Sequence, residues 1–197
     1  MSSIATTRGD GGETGLLGGT RVRKSSPHIE ACGAVDELNA QIGLARSICR
    51  DEPVGALLKE IQRELFVVGG ELVTPANAPE TRSGRPLSRV TDAMVERLTG
   101  EVHRIEGIEG VLGDWSLPGE DPVASALDVA RTVCRRAERD AVRLMEAGAE
   151  VRPPVLAYLN RLSDLLWLCG RLLEHQAGLD ASLRTDDRPG PNWSRAW

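Results

Sequence analysis

A helical spacing of apolar residues, repeated in five separate stretches, is the feature that most limits how this chain folds. In the fourth stretch the apolar residues recur at steps of three and four: Leu127, Ala130, Cys134, Ala137, Ala141 and Leu144. This spacing places them on one face of a helix, whereas a strand alternates apolar and polar residues. No stretch alternates convincingly or is rich in β-branched residues. We therefore predict an all-α fold, a bundle of five helices.

Local signals divide the chain into an arm, a bundle and a tail. Residues 1–28 are rich in Gly, Thr and Ser and show no period, residues 29–177 carry the helices, and residues 178–197 are predicted as a loop. Thr91 is a candidate N-cap for the third helix, and Pro153 suits the first turn of the fifth. The first helix is predicted to begin near residue 29, and the second to span 54–73. The third is predicted to begin at 91, the fourth to span 123–147 and the fifth to span 153–176.

Charge and cysteine usage exclude several classes of protein. The 24 Lys and Arg against 29 Asp and Glu give a net charge of −5, whereas a general nucleic-acid binder needs a basic surface. No apolar run reaches the roughly 18 residues that cross a bilayer, and the first residues lack the apolar segment of a secretion signal. The scattered cysteines Cys32, Cys49, Cys134 and Cys169 are typical of reduced thiols. We expect a cytoplasmic protein with no membrane or nucleic-acid partner.

The stretch ARTVCRRAERD on the fourth helix carries a separate polar stripe. Arg131, Arg135, Glu138 and Arg139 fall at i, i+4, i+7 and i+8, which places them on one face. Several guanidinium groups on one face repel one another unless an anion lies among them, and the planar guanidinium suits phosphate. A solvated charged face with internal Arg–Glu pairs is the alternative that the spacing leaves open.

Three further features allow both a structural and a functional interpretation. Asn160 and Asp164 lie one turn apart among leucines in YLNRLSDLL, so they either form an interhelical hydrogen bond or contact a ligand. Asp36 in VDELN is either a surface acid or a functional one. The glycine-rich arm lacks the GxxxxGK[ST] pattern, and it is either a disordered tail or a backbone cradle for phosphate.

Taken in order, the glycine-rich arm, the RVRK element, VDELN, LPG, RTVCRRAER and YLNRLSDLL resemble the PduO-type ATP:cob(I)alamin adenosyltransferase family. The resemblance covers nearly the whole chain. It implies a homotrimer of five-helix bundles with active sites between neighbouring subunits. It also implies transfer of the 5′-deoxyadenosyl group of ATP to the cobalt of cobalamin or a related corrinoid, with release of triphosphate.

The same resemblance implies roles for individual residues. Asp36 and Arg131 match a pair that forms a salt bridge across the subunit interface, and Trp115 stands where family members have the Phe that displaces the lower ligand of cobalamin. No protein group is expected to hold a metal, because Mg²⁺ is held through the ATP phosphates. The residues implied for ATP binding are Thr6, Thr7, Arg8, Gly9, Asp10, Gly12, Thr14, Gly15, Lys24, Arg135, Arg136, Glu138, Arg139 and Asn160.

Some positions depart from the family pattern. The arm reads Ala5-Thr6-Thr7, with Arg8 one position later than the usual basic residue, and Glu120 replaces a glycine. Trp115 is larger than the usual Phe, so it either excludes a ligand of the cobalt or obstructs the corrin. Two alternatives therefore stand beside the transferase: a corrinoid-binding carrier or sensor without efficient transfer, and an ATP-binding homologue that uses another substrate.

Overall fold

The computed structural model describes residues 5–17, 19–74, 87–184 and 187–190. A short hairpin comes first, made of β1 (Glu13–Gly15) and β2 (Arg21–Arg23). Five helices follow: α1 (Pro27–Ile48), α2 (Glu52–Leu72), α3 (Asp92–Glu106), α4 (Pro122–Glu146) and α5 (Pro153–Gln176). The predicted bundle of five helices is confirmed.

Side-chain caps explain where three of the helices begin. Asp51, Thr91 and Asp121 each accept a hydrogen bond from the backbone N–H three residues later, at 2.8, 3.3 and 2.8 Å. These bonds satisfy donors that have no partner within the helix. The helices α1 and α5 instead carry a proline in the first turn, where its missing N–H costs nothing.

The helices pack in the order α2, α1, α4, α5, α3 around one apolar core. The helix α4 lies between α1 and α5, and the fully buried alanines Ala130, Ala137 and Ala141 on its inner face allow close approach. Gly170 on α5 serves the same purpose, because a Cβ added there would lie 3.5 Å from the Ala124 backbone. The apolar seam predicted from the sequence is therefore the packing surface, which leaves the arginine stripe of α4 on another face.

The arm contains regular structure that the sequence analysis did not predict. Its strands pair antiparallel, with Glu13 opposite Arg23 and Gly15 opposite Arg21. Gly19 adopts a φ of +92°, a conformation that suits glycine in the connecting turn. Leu16 is buried, and the Leu17 N–H donates to the Val73 oxygen at 3.2 Å, which attaches the arm to the end of α2. The absence of strands was a wrong prediction, because strands of three residues are too short to show alternation.

Candidate functional site

A cleft of about 590 Å³ opens between α3, α4, α5 and the loop before α4. Its lining contains both apolar and polar residues, and we call these two sets the apolar wall and the charged wall. The apolar wall consists of Val102, Leu112, Trp115, Pro118, Trp167 and Leu168, and the charged wall of Glu106, Ser116, Asp128, Arg131, Arg135, Arg161, Ser163 and Asp164. Such a cleft suits a large ligand with a flat apolar part and an anionic part.

The loop that carries Trp115, residues 112–118, is held by the segment that follows α5. The Leu117 N–H donates to the Ala181 oxygen at 2.8 Å, and the Leu183 N–H donates to the Trp115 oxygen at 2.7 Å. These bonds form an isolated antiparallel bridge between Ser116 and Ser182. We call residues 180–184 the tail segment. Residues 178–197 were predicted as a loop, and the tail segment within them binds the loop that carries Trp115. Residues 185–186 and 191–197 lie outside the described part of the chain.

Two of the predicted arginines meet at the charged wall. Arg131 and Arg135 both line the cleft, and the Arg131 Nε lies 3.0 Å from the Asp128 Oδ1. Arg139 lies one turn further along, and its Nη1 donates to the Arg135 carbonyl oxygen at 3.0 Å. The four residues of the predicted stripe therefore follow one another along α4, and among them Arg131 and Arg135 line the cleft.

The remaining predicted residues of α4 have partners on neighbouring helices. Arg136 pairs with Glu37 of α1. Asn160 of α5 donates to the Glu138 Oε1 at 3.2 Å, and the Asn160 side chain is exposed. Asn160 therefore forms an interhelical hydrogen bond, which was one of the two roles that its spacing allowed. Its side chain is also exposed and accessible to a ligand.

The predicted arm residues lie together in the hairpin and the turn before it. Thr6, Thr7 and Arg8 are exposed. Gly9 lies directly against Lys24, because a Cβ on Gly9 would be 3.1 Å from the Lys24 Nζ. The Lys24 N–H donates to the Gly12 oxygen at 2.9 Å. Among the residues described, those that line the 590 Å³ cleft include no arm residue.

Asp36 lies on a different surface from Arg131. It is exposed on α1 and borders a shallow depression of about 450 Å³ between α1 and α2. Phe66, which is 75% exposed, lies beside it, together with Lys59 and Arg63. Within one chain Arg131 pairs with Asp128, and Asp36 and Arg131 line different pockets.

Burial shapes the electrostatics of the α5 side of the cleft. Partial burial raises the pKa of the Asp164 carboxyl, and the guanidinium groups of Arg161 and Arg135 act in the opposite direction. The Arg161 Nη1 lies 3.6 Å from the Asp164 Oδ2. The wall is therefore not uniformly basic, since Asp164 balances part of the charge of the arginines.

Comparison with known proteins decides the family. The family model described as cobalamin adenosyltransferase matches residues 4–173. The chain belongs to this family. The resemblance drawn from the motifs is thereby confirmed.

Several adenosyltransferases are similar over most of the chain. The cobalamin adenosyltransferase of Cupriavidus metallidurans is 41% identical over 179 residues, which cover 90% of this chain and 91% of that protein. The corrinoid adenosyltransferase of Bacillus subtilis is 36% identical over 180 residues, 89% of either protein. The corrinoid adenosyltransferase PduO of Salmonella typhimurium is 37% identical over 182 residues, 90% of this chain but 52% of that protein, so the chain spans about half its length.

Solved adenosyltransferase structures share the fold. A phenylalanine-to-histidine variant of a PduO-type ATP:corrinoid adenosyltransferase from Lactobacillus reuteri, complexed with cobalamin and ATP, has a TM-score of 0.84. It is 31% identical, and the match covers 93% of this chain and 97% of that one. An arginine-to-lysine variant complexed with ATP has a TM-score of 0.82 at 32% identity, covering 92% and 100%.

The cleft of this family member contains residues that sequence reasoning missed. Arg161 and Trp167 were not predicted, although both lie on the face of α5 that includes Asp164 and Leu168. Asp128 was also missed, although it precedes Arg131 by three residues and so shares its face. The helical spacing was the available signal, but spacing alone does not tell which face borders a cleft.

The cysteines and histidines stay outside the cleft. Cys134 and Cys169 are fully buried and free, and burial raises the pKa of the Cys169 thiol to about 12. Among the described residues, no group of three or more His, Cys, Asp or Glu is arranged to hold a metal ion. Over the same residues, no helix is both long and apolar enough to cross a membrane.

Proposed function

We propose that this cobalamin adenosyltransferase family member moves the 5′-deoxyadenosyl group of ATP onto the cobalt of a corrinoid, and that the 590 Å³ cleft holds the reacting groups. The observation that carries this proposal is the pairing of an apolar wall, which includes two tryptophans, with a wall that presents Arg131 and Arg135. A corrin is large and flat, and triphosphate is an anion, so the two walls match the two substrates.

The reaction is a single displacement. A bond forms between cobalt(I) and C5′ while the C5′–O bond breaks, and the electron pair of that bond leaves with triphosphate. The cobalt is itself the nucleophile, so the protein needs to align the two substrates and stabilise the leaving group. We assign charge stabilisation to Arg135 and Arg131 on α4, with Arg136, Glu138, Arg139 and Asn160 extending the nucleotide surface. Mg²⁺ enters with ATP, bound to phosphate oxygens, which are the ligands it prefers.

The arm supplies the second half of the nucleotide site. Its exposed Thr6, Thr7 and Arg8, its glycines and the Lys24 ammonium beside Gly9 would supply polar groups and positive charge to the triphosphate. The set implied by the resemblance also includes Asp10, Gly12, Thr14 and Gly15. In one chain the described residues of this hairpin contact the end of α2 and do not line the cleft, so we infer that another copy of the chain completes each site.

A homotrimer accounts for both halves of the site. The exposed Phe66 and the neighbouring Asp36 form a surface that a second copy can cover, and Asp36 would then meet Arg131 of that copy. This arrangement explains why Asp36 and Arg131 lie on separate surfaces of one chain. Covering Phe66 would remove a large apolar side chain from water.

Trp115 is assigned to the corrinoid side of the reaction. Its indole lines the cleft beside Pro118, and the tail segment holds its backbone. An apolar side chain at the lower face of the corrin excludes water and other axial ligands from the cobalt. Loss of the lower ligand eases reduction of cobalt(II), so the protein tunes a reaction that the corrinoid itself carries.

The decisive experiment is an anaerobic assay with ATP, Mg²⁺ and chemically reduced cobalamin, in which formation of the cobalt–carbon bond is followed by absorbance and triphosphate release is measured in parallel. We expect both products in equal amounts. ATP binding by calorimetry without either product would contradict the proposal and favour a repurposed ATP-binding homologue. Cobalamin binding without transfer would favour a carrier or sensor.

The cytoplasmic location and the absence of a nucleic-acid partner stay predictions. They rest on the scattered cysteines and the net charge of −5.

A further inference from the structure

Asp128 is a buried carboxylate that joins two arginines on different helices. Its side chain is 8% exposed, and Oδ1 lies 3.0 Å from the Nε of Arg131 on the same helix. Its Oδ2 lies 3.3 Å from the Nη2 of Arg171 on α5. The carboxylate thus connects a residue that faces the cleft with one that is buried in the bundle.

Arg171 is itself fixed by further contacts. Its side chain is 4% exposed, its Nη1 lies 2.6 Å from the Glu174 Oε2, and its guanidinium carbon lies 5.7 Å from the centre of the Trp167 ring. A guanidinium held by two carboxylates and an aromatic ring has little freedom to move. Arg171 therefore holds the Asp128 carboxylate in one position. The carboxylate in turn restricts the side chain of Arg131.

The contact with Asp128 uses only one side of the Arg131 guanidinium. The bond runs through Nε, which is one of the five N–H donors of the group, so it does not occupy the terminal nitrogens. An arginine on a helix surface otherwise samples many rotamers, and ordering it at the moment of binding costs conformational entropy. A fixed Nε orients the plane of the guanidinium before any ligand arrives.

We propose that Asp128 is a positioning residue for the adenosyl transfer: it holds Arg131 by Nε so that the terminal nitrogens face an anionic group at the cleft. This inference rests on the proposed function only for the identity of that group. Both oxygens of the Asp128 carboxylate bind arginines, Oδ1 to Arg131 and Oδ2 to Arg171, so its proposed effect on the reaction passes through Arg131. The proposal requires both contacts of Asp128, with Arg131 on α4 and with the buried Arg171 on α5.

Kinetics with a double-mutant cycle test the proposal in the whole 197-residue chain. Asp128→Asn is expected to lower kcat/KM for reduced cobalamin about ten-fold, since a charge-assisted bond that orders a side chain is weakened. In the Arg131→Gln background the same change is expected to have less than about a two-fold effect, because the residue it positions is gone. Asp128→Glu, which keeps the charge, is expected to recover part of the loss. An equal loss in both backgrounds would overturn the proposal.

Glu71→Gln is the matched control for stability. It removes the charge of another buried carboxylate, which lies 3.1 Å from the Arg152 Nε and does not line the cleft. Both variants are expected to lower the unfolding temperature, but only Asp128→Asn is expected to change kcat/KM strongly. Equal kinetic losses in the two variants would show that Asp128 acts through bundle stability, and this outcome would also overturn the proposal.

A second measurement does not depend on turnover. The Nε–H signal of Arg131 in a nitrogen-15 NMR spectrum, assigned by its loss in Arg131→Gln, is expected to exchange slowly with water in the unchanged protein and fast in Asp128→Asn. If the unchanged protein forms no cobalt–carbon bond yet shows this difference, the proposed function fails and the positioning role stands. Fast exchange in both proteins would refute the positioning role, whatever the activity.

Discussion

The carboxylate of Asp114 binds Arg184 at two points. Its Oδ2 accepts a hydrogen bond from the Arg184 backbone N–H at 2.9 Å, and its Oδ1 lies 3.3 Å from the Arg184 Nη2. Together with the hydrogen bonds of Trp115 and Leu117, this pair attaches the tail segment to the loop that forms the apolar wall. The family match ends at residue 173, so the tail segment lies beyond the part of the chain that it covers.

The first prediction concerns this attachment. Arg184→Ala removes a partly buried ion pair, which is worth about 1 kcal/mol or less, and it loosens the loop that presents Trp115. We expect KM for reduced cobalamin to rise about three- to five-fold while the affinity for ATP stays constant. Steady-state kinetics and calorimetry measure the two quantities. Arg104→Ala removes an exposed Arg–Glu pair on α3 and serves as the control.

If Arg184→Ala lowered the affinity for ATP as much as it raised KM for reduced cobalamin, this separation of roles would be wrong. The tail segment would then support the whole cleft and not the apolar wall alone.

The second prediction tests the nucleotide surface. Arg135→Ala removes an exposed guanidinium that lines the charged wall, and a hydrogen bond to a charged group contributes about 1.5–3 kcal/mol. We expect ATP affinity to fall about ten- to a hundred-fold by calorimetry. Arg143→Ala is the matched control, because Arg143 lies two turns further along α4 and pairs with Asp140 outside the cleft. Unchanged affinity in Arg135→Ala would place the triphosphate elsewhere.

The third prediction concerns the surface between α1 and α2. Asp36→Asn is expected to lower the rate of adenosyl transfer about ten-fold, because the proposed interfacial pair with Arg131 is lost. Phe66→Ser is expected to shift the proposed trimer toward smaller species, since it removes an apolar side chain, 75% exposed in one chain, that the second copy would cover. Sedimentation velocity measures the second effect. Glu30→Gln, at an exposed position on α1, controls for the change of charge.

A rate and a sedimentation profile that both stay unchanged in Asp36→Asn and Phe66→Ser would remove this surface from the proposed site. The arm would then have to reach the cleft in some other assembly.

The helices were predictable because burial imposes a spacing that the sequence displays directly. Ala130, Ala137 and Ala141 are apolar at helical steps and all three are fully buried. The hairpin was not predictable, since a strand such as Glu13–Gly15 has too few residues to show a period. Of the candidate site residues named from the sequence, Arg131, Arg135 and Trp115 line the same cleft, and their roles stay predictions.

What the sequence could not indicate were the contacts between distant residues. Asp128 and Arg171 are 43 positions apart, and Asp114 and Arg184 are 70 apart, so no local pattern connects them. Each pair depends on how two elements meet in the folded bundle. The same reason explains why Trp167 went unnoticed: it lines the cleft together with residues of α3, α4 and the loop of Trp115, which are distant in the sequence.

The last prediction concerns the pH dependence of stability. Burial raises the pKa of Asp164 above its ordinary value of 3.8, so the folded protein binds this proton more tightly than the unfolded chain does. The carboxyl therefore destabilises the fold at neutral pH, and its unfavourable effect disappears as pH falls through the raised pKa. Asp164→Asn should thus raise the free energy of unfolding at neutral pH. This gain should vanish when the pH falls below 3.8, the ordinary pKa of the carboxyl. Urea unfolding across this range measures it, with Glu96→Gln on the exposed side of α3 as the charge control. If the gain in the free energy of unfolding kept its full size in acid, the packing of the Asp164 side chain and not its charge would be the cause of the lower stability.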